Sequence, residues 1–261
     1  MNKVPVSTPI QHRKKIPFYT EKSSAEFKAD PYEYYDGMVK RQIQLHLGGF
    51  QSDNYAWREI EEWITAHLPI NFAGQLLELG CSVGTLIGKI AEHFPQSVCY
   101  GFDFSYQLLK VADDYWCSEK MINCEDGKGF TPLSLTPRLP LKNLQFGLAR
   151  AEKLPFPDDT LDVIVTSFLF DRLEFPMQAV NEWQRVLKPG GQLLLVTPLN
   201  FQRSVHWEAF YPEPRFYENF KVANWTINEQ QQLTVREPLD IRGNVVEWQC
   251  IAAHFTNNKP R

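Results

Sequence analysis

The sequence lacks the features that mark a membrane protein, a secreted protein or a zinc protein. No stretch approaches the roughly 18 consecutive apolar residues of a membrane span, and the N-terminal "MNKVPVSTPIQHRKKIPF" has no apolar segment after its charges. The five cysteines are odd in number and include no C-x-x-C pair, the spacing typical of zinc and redox sites. We therefore expect reduced thiols, no metal, no membrane association and a soluble cytoplasmic protein.

The sequence also has no large excess of charge of either sign, no internal repeat and no low-complexity tract. Its 27 basic and 31 acidic residues provide no general electrostatic footprint for a polyanion, so nucleic acid is not expected as a partner. With 261 residues, of which 43% are hydrophobic, the chain can form one large domain or a domain with a cap.

The two ends of the chain differ from its middle in residue composition and in the spacing of apolar residues. Residues 1–24 are polar, contain prolines and carry a basic cluster, which predicts a flexible arm. Residues 25–70 place apolar side chains at helical spacing, which predicts an N-terminal helical cap. Residues 199–225 are dense in aromatics and prolines and could cover a ligand, and residues 232–255 read as a terminal antiparallel hairpin.

The middle of the chain alternates strand and helix patterns. "GQLLELG", "GTLIGKIAEHF", "SVCYGFD" and "SYQLLKVADDYW" follow one another as strand, helix, strand and helix. This rhythm predicts an α/β fold with a doubly wound, mostly parallel sheet. The pattern is interrupted at about 117–142 by a proline-containing insertion, and it resumes up to residue 198. We therefore expect one domain over 71–261, with its core at 72–198.

The stretch "LLELGCSVGTL" admits two interpretations. Gly80 to Gly84 reads as G-x-S-x-G, the strand-to-helix elbow that presents Ser82 as a hydrolase nucleophile. That elbow should follow several strands and an oxyanion-hole loop, whereas Gly80 ends the first core strand and nothing like H-G-G precedes it. His206 or His254 would have to serve as the base. A serine hydrolase is therefore kept only as a minor alternative.

The same stretch also reads as a loop that closes over a nucleoside cofactor. Glycines let the backbone approach the ligand, and a carboxylate at the end of the next strand accepts hydrogen bonds from ribose hydroxyls. Asp103 occupies that place, 23 positions after Gly80 (103 − 80), close to the roughly 20 that such sites show. Glu78 would repel a diphosphate and suits a cation instead. The loop thus predicts a positively charged nucleoside, such as one carrying an ammonium and a sulfonium.

Four motifs in order, "LELGC", "GFDFS", "AEKLPFPDDTLDVIV" and "RVLKPGGQLLLV", resemble those of the class I S-adenosylmethionine-dependent methyltransferases that act on small molecules. The resemblance covers about Leu76 to Pro198. It implies a seven-stranded Rossmann-like sheet, S-adenosylmethionine as cofactor with S-adenosylhomocysteine as product, and methyl transfer to an N, O or C atom of a small acceptor by in-line displacement.

The resemblance also implies which positions bind the cofactor. The loop should meet its amino-acid part, the strand-end acid its ribose, three further residues its adenine, and the end of the fourth core strand its methyl group and the acceptor. The matching positions are Glu78, Gly80, Cys81, Ser82 and Gly84 for the loop, Asp103 for the ribose, Phe104, Ala151 and Glu152 for adenine, and Ser167 and Phe168 for the methyl group.

Two positions depart from the family pattern. Ser82 replaces the middle glycine of the loop, where a small side chain still permits close approach. Arg150 stands where many relatives carry an aspartate that accepts from the adenine amino group, and an arginine has no acceptor. A catalytically inactive binding or scaffold protein therefore stays an alternative.

No catalytic residue follows from the motifs, since the sulfonium methyl arrives activated and the protein mainly positions the reactants. Asp171, His206 and Tyr211 are candidates for a base or orienting group. For each of them, a plain packing, loop or ion-pair role is the preferred interpretation. The oligomeric state is not predicted.

Overall fold

A computed structural model describes residues 6–34, 36–49, 55–125 and 132–259 of the protein. Within these ranges nine strands form one sheet, and two short strands of the predicted insertion pair separately. In chain order the strands are β1 (Gln11–Arg13), β2 (Ile16–Phe18), β3 (Gln75–Leu79), β4 (Val98–Asp103), β5 (Ile122–Cys124), β6 (Leu133–Leu135), β7 (Leu144–Leu148), β8 (Leu161–Ser167), β9 (Leu187–Thr197), β10 (Trp225–Pro238) and β11 (Val245–Asn257).

The helices lie before the first core strand, between the core strands and after β9. They are α1 (Ser24–Ala29), α2 (Pro31–Tyr34), α3 (Asp36–Gln42), α4 (Arg58–Ala66), α5 (Thr85–His93), α6 (Tyr106–Trp116), α7 (Pro176–Val186), α8 (Ser204–Phe210) and α9 (Pro214–Val222), with a π-helical segment at Ile43–Gly48 and a 3-10 turn at Phe170–Arg172. None of them, over the ranges described, is long and apolar enough to cross a membrane.

The sheet has the order β1-β2-β7-β4-β3-β8-β9-β11-β10. The five pairings from β2 to β9 are parallel, and β9-β11 and β11-β10 are antiparallel. The predicted class of fold is therefore confirmed, including the terminal hairpin, whose strands extend beyond the expected 232–255. The described part of the sheet contains nine strands and not seven, because an N-terminal hairpin formed by β1 and β2 joins the sheet edge at β7.

That hairpin corrects the prediction of a flexible arm over residues 1–24. Strands β1 and β2 pair with each other, and Phe18 of β2 lies beside Leu148 of β7 in parallel register. Ile16 and Phe18 are buried on one side of β2, and the Arg13 guanidinium lies 4.0 Å from the ring centroid of Tyr106. Two apolar side chains in a short alternating stretch are enough to add a strand to an open parallel edge. Residues 1–5 lie outside the described ranges.

Helices cover both faces of the sheet, which is what the alternation of buried strand residues requires. Leu76 of β3 packs with α5 and α6, whereas its neighbour Leu77 packs with α7 on the other face. Successive strand side chains point to opposite faces, so a strand buried on both sides is apolar throughout. Ser105 caps α6 by accepting from the Leu108 N–H, and Pro176 begins α7, as their sequence positions predict.

The aromatic segment at 199–225, which the sequence suggests as a lid, packs mainly against the core. Phe170 stands at the centre of a cluster in which the rings of Phe201, Phe210, Phe216 and Phe220 lie 5.1–6.1 Å from its own. Helices α8 and α9 thereby bury one aromatic side each against the core, through Phe210 in α8 and through Phe216 and Phe220 in α9. The cover over the carboxyl edge comes from elsewhere in the chain.

Candidate functional site

Two adjoining cavities open at the carboxyl ends of the parallel strands. The larger has a volume of about 580 Å³ and the smaller about 240 Å³. Gly80, Asp103, Leu169 and Arg172 line both of them. Asp103 at the end of β4 therefore stands where the cavities meet, and an elongated ligand could extend from one into the other past its carboxylate.

The loop between β3 and α5 has a backbone conformation that suits glycine. Gly80, Ser82 and Gly84 have φ values of +71°, +50° and +75°, in the left-handed region that is costly for most side chains. A Cβ at Gly84 would also approach the Phe146 ring to 2.7 Å. The Gly80 and Cys81 N–H groups donate to the Phe102 carbonyl, which holds the loop against β4. Ser82 thus adopts a backbone conformation that glycine reaches more easily than serine does.

The Asp103 carboxylate fixes the loop and faces both cavities. One oxygen accepts from the Ser82 N–H and the other from the Ser105 N–H, each at 2.9 Å. A carboxylate can accept about four hydrogen bonds, so the Asp103 carboxylate keeps acceptor capacity for a ligand. Burial raises the pKa of Asp103 above its usual value, and these backbone donors oppose that effect.

Glu78 is a second buried acid at this edge. Its side chain is buried, and one carboxylate oxygen accepts from the Ile87 N–H at 3.0 Å, in the first turn of α5. Burial raises its pKa well above the usual 4.5. Across the described ranges, neither Glu78 nor Asp103 has an ion pair with a basic side chain. We call these two residues the acidic end of the site, since a bound cation is what they lack.

The smaller cavity is lined by Phe104, Ala151 and Glu152. The Arg150 guanidinium lies 4.4 Å from the Phe104 ring centroid and forms an ion pair with Glu26 of α1. Arg150 is therefore held by the N-terminal helix and by an aromatic face, in a place where an aspartate would have offered acceptors. Burial raises the pKa of Glu152, whose carboxylate also lines this cavity.

The structure brings together ten of the eleven residues predicted to bind the cofactor, since each of these lines at least one cavity. Gly84 lines neither and contributes through the loop backbone. Those lining the larger cavity are Glu78, Gly80, Cys81, Ser82, Asp103, Ser167 and Phe168, and those lining the smaller are Gly80, Asp103, Phe104, Ala151 and Glu152.

The three candidate catalytic residues lie elsewhere. Asp171, His206 and Tyr211 line neither cavity. Asp171 is buried and accepts from the Thr197 hydroxyl at 3.2 Å, with the Arg172 guanidinium 3.6 Å away. These contacts match the plain ion-pair interpretation of Asp171, and none of the three residues is placed to touch a ligand.

Ser82 does not have the environment of a hydrolase nucleophile. Its hydroxyl donates to the Gln42 amide oxygen at 3.0 Å. An amide oxygen does not take the proton of an attacking serine, which a histidine must do in a triad. The geometry therefore argues against the G-x-S-x-G interpretation and leaves Ser82 as part of the loop.

Several lining residues were not predicted from the sequence, and they form an aromatic wall of the larger cavity. We call this wall the aromatic end: His46, Trp57, Phe168 and Trp248, of which only Phe168 was expected. The N-terminal helical region supplies His46 and Trp57, and the terminal hairpin supplies Trp248. In the sequence, the only signal for this wall was the histidine within the apolar stretch "QIQLHL". A lone histidine is too common to predict a binding site.

Comparison with known proteins identifies the family of the central part of the chain. Residues 77–195 match a family described as a methyltransferase domain. This domain belongs to the class I S-adenosylmethionine-dependent methyltransferases. The family implies S-adenosylmethionine as the cofactor, in agreement with the loop and the acidic end.

Individual relatives agree with this assignment. An uncharacterized methyltransferase from Schizosaccharomyces pombe is 29% identical over 56% of this chain and 48% of its own, and a malonyl-[acyl-carrier protein] O-methyltransferase from Marinomonas is 28% identical over 56% and 46%. The chain thus spans about half the length of these curated relatives. An S-adenosylmethionine-dependent methyltransferase structure from Aquifex aeolicus covers 80% of this chain and 96% of its own, with a TM-score of 0.53 and 18% identity, which shows the shared fold.

Proposed function

We propose that the protein transfers a methyl group from S-adenosylmethionine to an N, O or C atom of a small molecule. The observation that carries this proposal is the acidic end: Glu78 is buried, Asp103 is half-buried where the two cavities meet, and neither forms an ion pair with a basic side chain among the described residues. The cofactor would supply the methyl group on a cationic sulfonium, and its positive charge is what these acids lack.

The residues present fit this cofactor along its length. Asp103 keeps acceptor capacity for ribose hydroxyls, and Phe104 provides a ring in the smaller cavity for adenine to pack against. Glu78 would favour the cationic amino-acid part, and the left-handed turns at Gly80 and Ser82 bring the backbone close to it. The contribution of these residues is to bind and orient the two reactants.

Such positioning can account for a large share of the rate. Well-oriented reactants gain effective molarities worth about 7–11 kcal/mol of the barrier. Ser167 and Phe168 end β8 and line the larger cavity, where an acceptor would lie beside the loop. The aromatic end forms one wall of that cavity and would help to exclude water from the reacting atoms.

The acceptor is proposed as a small molecule. Relatives carry the names malonyl-[acyl-carrier protein] O-methyltransferase, demethylmenaquinone methyltransferase and ubiquinone/menaquinone biosynthesis C-methyltransferase. These names cover O- and C-acceptors of different size and polarity, so they support the reaction class and leave the acceptor open. We also propose a cytoplasmic location, based on the odd number of cysteines without a C-x-x-C pair.

One observation favours a second candidate function, that of a cofactor-binding protein without turnover. Arg150 lines the adenine cavity, and its guanidinium lies against Phe104, the ring proposed for adenine. Adenine would then have to share that ring with a cation and find its acceptors elsewhere, for example at Glu152. Cofactor binding without transfer to any acceptor would support this alternative.

Calorimetric titration with S-adenosylmethionine and S-adenosylhomocysteine tests the proposal, with NAD as the control. We expect micromolar binding of both and none of NAD, because a diphosphate would be repelled by Glu78. Transfer of labelled methyl groups from the cofactor to a metabolite extract then distinguishes an enzyme from a binding protein. Absence of binding by both ligands would contradict the proposal.

A further inference from the structure

The aromatic end of the larger cavity contains a histidine whose ring nitrogens have no hydrogen-bond partner in the described part of the chain. His46 lies in the π-helical segment Ile43–Gly48 and lines the cavity. Its ring contacts Trp57, with centroids 4.3 Å apart. His46 is half-buried, and an imidazole without a hydrogen-bond partner at the wall of a cavity can offer a ring nitrogen to a ligand.

His46 is also linked in sequence to the cofactor loop. Gln42 accepts from the Ser82 hydroxyl of that loop, and His46 follows Gln42 by four positions (46 − 42) in a continuous helical stretch. Residues about one helical turn apart lie near one another on the same side of a helix. The same helical surface therefore touches the cofactor loop at Gln42 and borders the cavity at His46.

The rest of the aromatic end consists of flat apolar faces. The Trp57 and Phe168 ring centroids are 6.4 Å apart, and those of Phe168 and Trp248 are 6.0 Å apart, both in edge-to-face arrangement. The Trp248 indole N–H donates to Glu237 at 3.0 Å, which fixes that ring. Walls of this kind bind a planar, largely apolar molecule.

The charged groups around this end occur in pairs. Arg41 contacts Glu237 at 2.7 Å, and Lys89 contacts Glu61 at 2.5 Å. Arg172, which lines both cavities, has Asp171 at 3.6 Å. In contrast with Glu78 and Asp103, these groups leave little net charge for a ligand to neutralise, and a charged ligand would lose its hydration without gaining a counter-charge.

Burial lowers the pKa of His46 to about 4. The imidazole is therefore neutral at neutral pH and offers one nitrogen as a hydrogen-bond acceptor. It adds no charge to this end of the cavity.

We propose that the methyl acceptor is a neutral, planar, largely apolar molecule whose nucleophilic hydroxyl or N–H group donates a hydrogen bond to His46. This inference rests on the proposed function, because it assigns the acceptor of that same site. For a hydroxyl, the bond from oxygen to the methyl carbon forms and the carbon–sulfur bond breaks, with its electron pair staying on sulfur. The proton passes to His46 and then to water. A weak base suffices, since the hydroxyl becomes far more acidic as its oxygen is methylated.

Binding of three naphthalene probes tests this assignment: 2-naphthol, 2-methoxynaphthalene, which lacks the donor, and naphthalene-2-carboxylate, which is charged. Each is titrated into the full chain with and without S-adenosylhomocysteine. We expect 2-naphthol to bind about fivefold more tightly than 2-methoxynaphthalene, and the carboxylate at least tenfold more weakly than 2-naphthol. A carboxylate that binds as tightly as 2-naphthol, or no binding by any probe, would overturn the proposal.

Two His46 variants separate hydrogen bonding from packing. His46→Phe keeps a ring beside Trp57 and should remove the preference for 2-naphthol over 2-methoxynaphthalene, whereas His46→Gln, which can accept a hydrogen bond, should keep part of it. His206→Phe, outside both cavities, is the matched control. An unchanged preference in His46→Phe would refute the role of His46. Failure of S-adenosylhomocysteine to bind counts against the proposed function instead, and the probe titration without it still tests the acceptor assignment.

Discussion

The acidic and aromatic ends of the site place carboxylates in opposite electrostatic situations. At the acidic end, Glu78 and Asp103 are held by backbone N–H groups and form no ion pair with a basic side chain among the described residues. Two other acids have basic partners: Glu237, which accepts from Trp248 of the aromatic end, contacts Arg41, and Glu61, which is near enough to Glu78 to raise its pKa, contacts Lys89. Both pairs of acids border the same larger cavity, so burial alone does not explain the difference.

The contrast teaches which part of a ligand each end accommodates. An unpaired buried carboxylate costs free energy in the empty protein, and a bound cation recovers that cost. The charge of a paired carboxylate is already balanced by its basic partner, so the pair stabilises the fold and leaves the cavity wall nearly neutral. The charge pattern therefore assigns the cationic cofactor to one end and a neutral acceptor to the other, as proposed above.

Asp103→Ala should have the largest effect on cofactor binding. Loss of the ribose acceptor should weaken S-adenosylmethionine binding by about 1–3 kcal/mol, or roughly 5- to 150-fold in Kd. Calorimetric titration measures this directly. Glu237→Gln is the matched control from the aromatic end and should leave the Kd within about twofold. Equal losses of S-adenosylmethionine affinity in both variants would contradict the assignment of the cofactor to the acidic end.

Lys89→Met should destabilise the protein by about 2 kcal/mol. The change removes the lysine that pairs with Glu61, and breaking a buried ion pair costs about 3–5 kcal/mol. We expect less here because about a third of the Lys89 side chain is exposed and Tyr55 still donates to Glu61. Urea unfolding at pH 7 measures the loss. A variant as stable as the natural protein would show that Glu61 does not need this pair to be accommodated at the cavity wall.

Glu78→Gln should act in the opposite direction and stabilise the cofactor-free protein at pH 8. The folded-state pKa of Glu78 is raised above its usual 4.5, so its favourable contribution is complete below pH 4.5 and disappears as pH rises through the raised value. A tenfold difference in proton affinity between the folded and unfolded states corresponds to about 1.4 kcal/mol, and glutamine can still accept from the Ile87 N–H.

Urea unfolding without cofactor, at pH 8 and pH 5, tests whether Glu78→Gln raises the free energy of unfolding. The gain in stability from Glu78→Gln should be about 1 kcal/mol or more at pH 8 and should shrink towards pH 5, while the affinity for S-adenosylmethionine falls. A variant that is less stable than the natural protein at pH 8 would mean that Glu78 is compensated after all. Lys89→Met, with its opposite sign, is the internal comparison.

Arg150→Ala should have the smallest effect, below about 1 kcal/mol on stability. Its ion pair with Glu26 is about one-third exposed on each side, and exposed pairs contribute little. Hydrogen bonds from Arg150 and Ser23 lower the Glu26 pKa to about 2, so this small contribution is present above pH 4.5 and is lost as pH falls towards 2. Thermal unfolding at pH 7 and pH 3 measures it.

The same variant bears on the alternative function. If Arg150 only anchors the N-terminal helix, cofactor affinity should stay within about twofold in Arg150→Ala. A marked gain in affinity would show that the guanidinium on Phe104 obstructs adenine, and it would favour the binding protein over the enzyme. The lysine at position 153, which is outside both cavities, provides the control variant Lys153→Ala.

Much of the fold was predictable because it depends on local patterns. Apolar runs such as "QLLEL" and the serine cap before α6 mark their elements without help from the rest of the chain. The added hairpin β1–β2 was missed because three-residue strands carry too little periodicity and exist only through pairing with β7. The aromatic segment was misread as a lid because its composition does not reveal which surface it covers.

The residues of the site likewise fall into those that the sequence predicted and those that only the folded structure revealed. The loop glycines and Asp103 were predictable because they lie next to strand ends, which meet at one edge of a parallel sheet. His46, Trp57 and Trp248 were not, because they come from segments distant in sequence that converge only in the folded chain. Arg150 was noticed as a departure, but its stacking on Phe104 and its pairing with Glu26 required the tertiary arrangement.

The sequence by itself determined the alternation of strands and helices, the left-handed turns of the loop and the acids at the strand ends, since each depends on residues close together along the chain. Only the tertiary structure decided which carboxylates have a basic partner. Glu61 meets Lys89 and Glu237 meets Arg41 across distant elements, whereas Glu78 and Asp103 meet backbone N–H groups. Electrostatic compensation depends on distances of a few ångströms in space, and spacing along the chain does not set those distances.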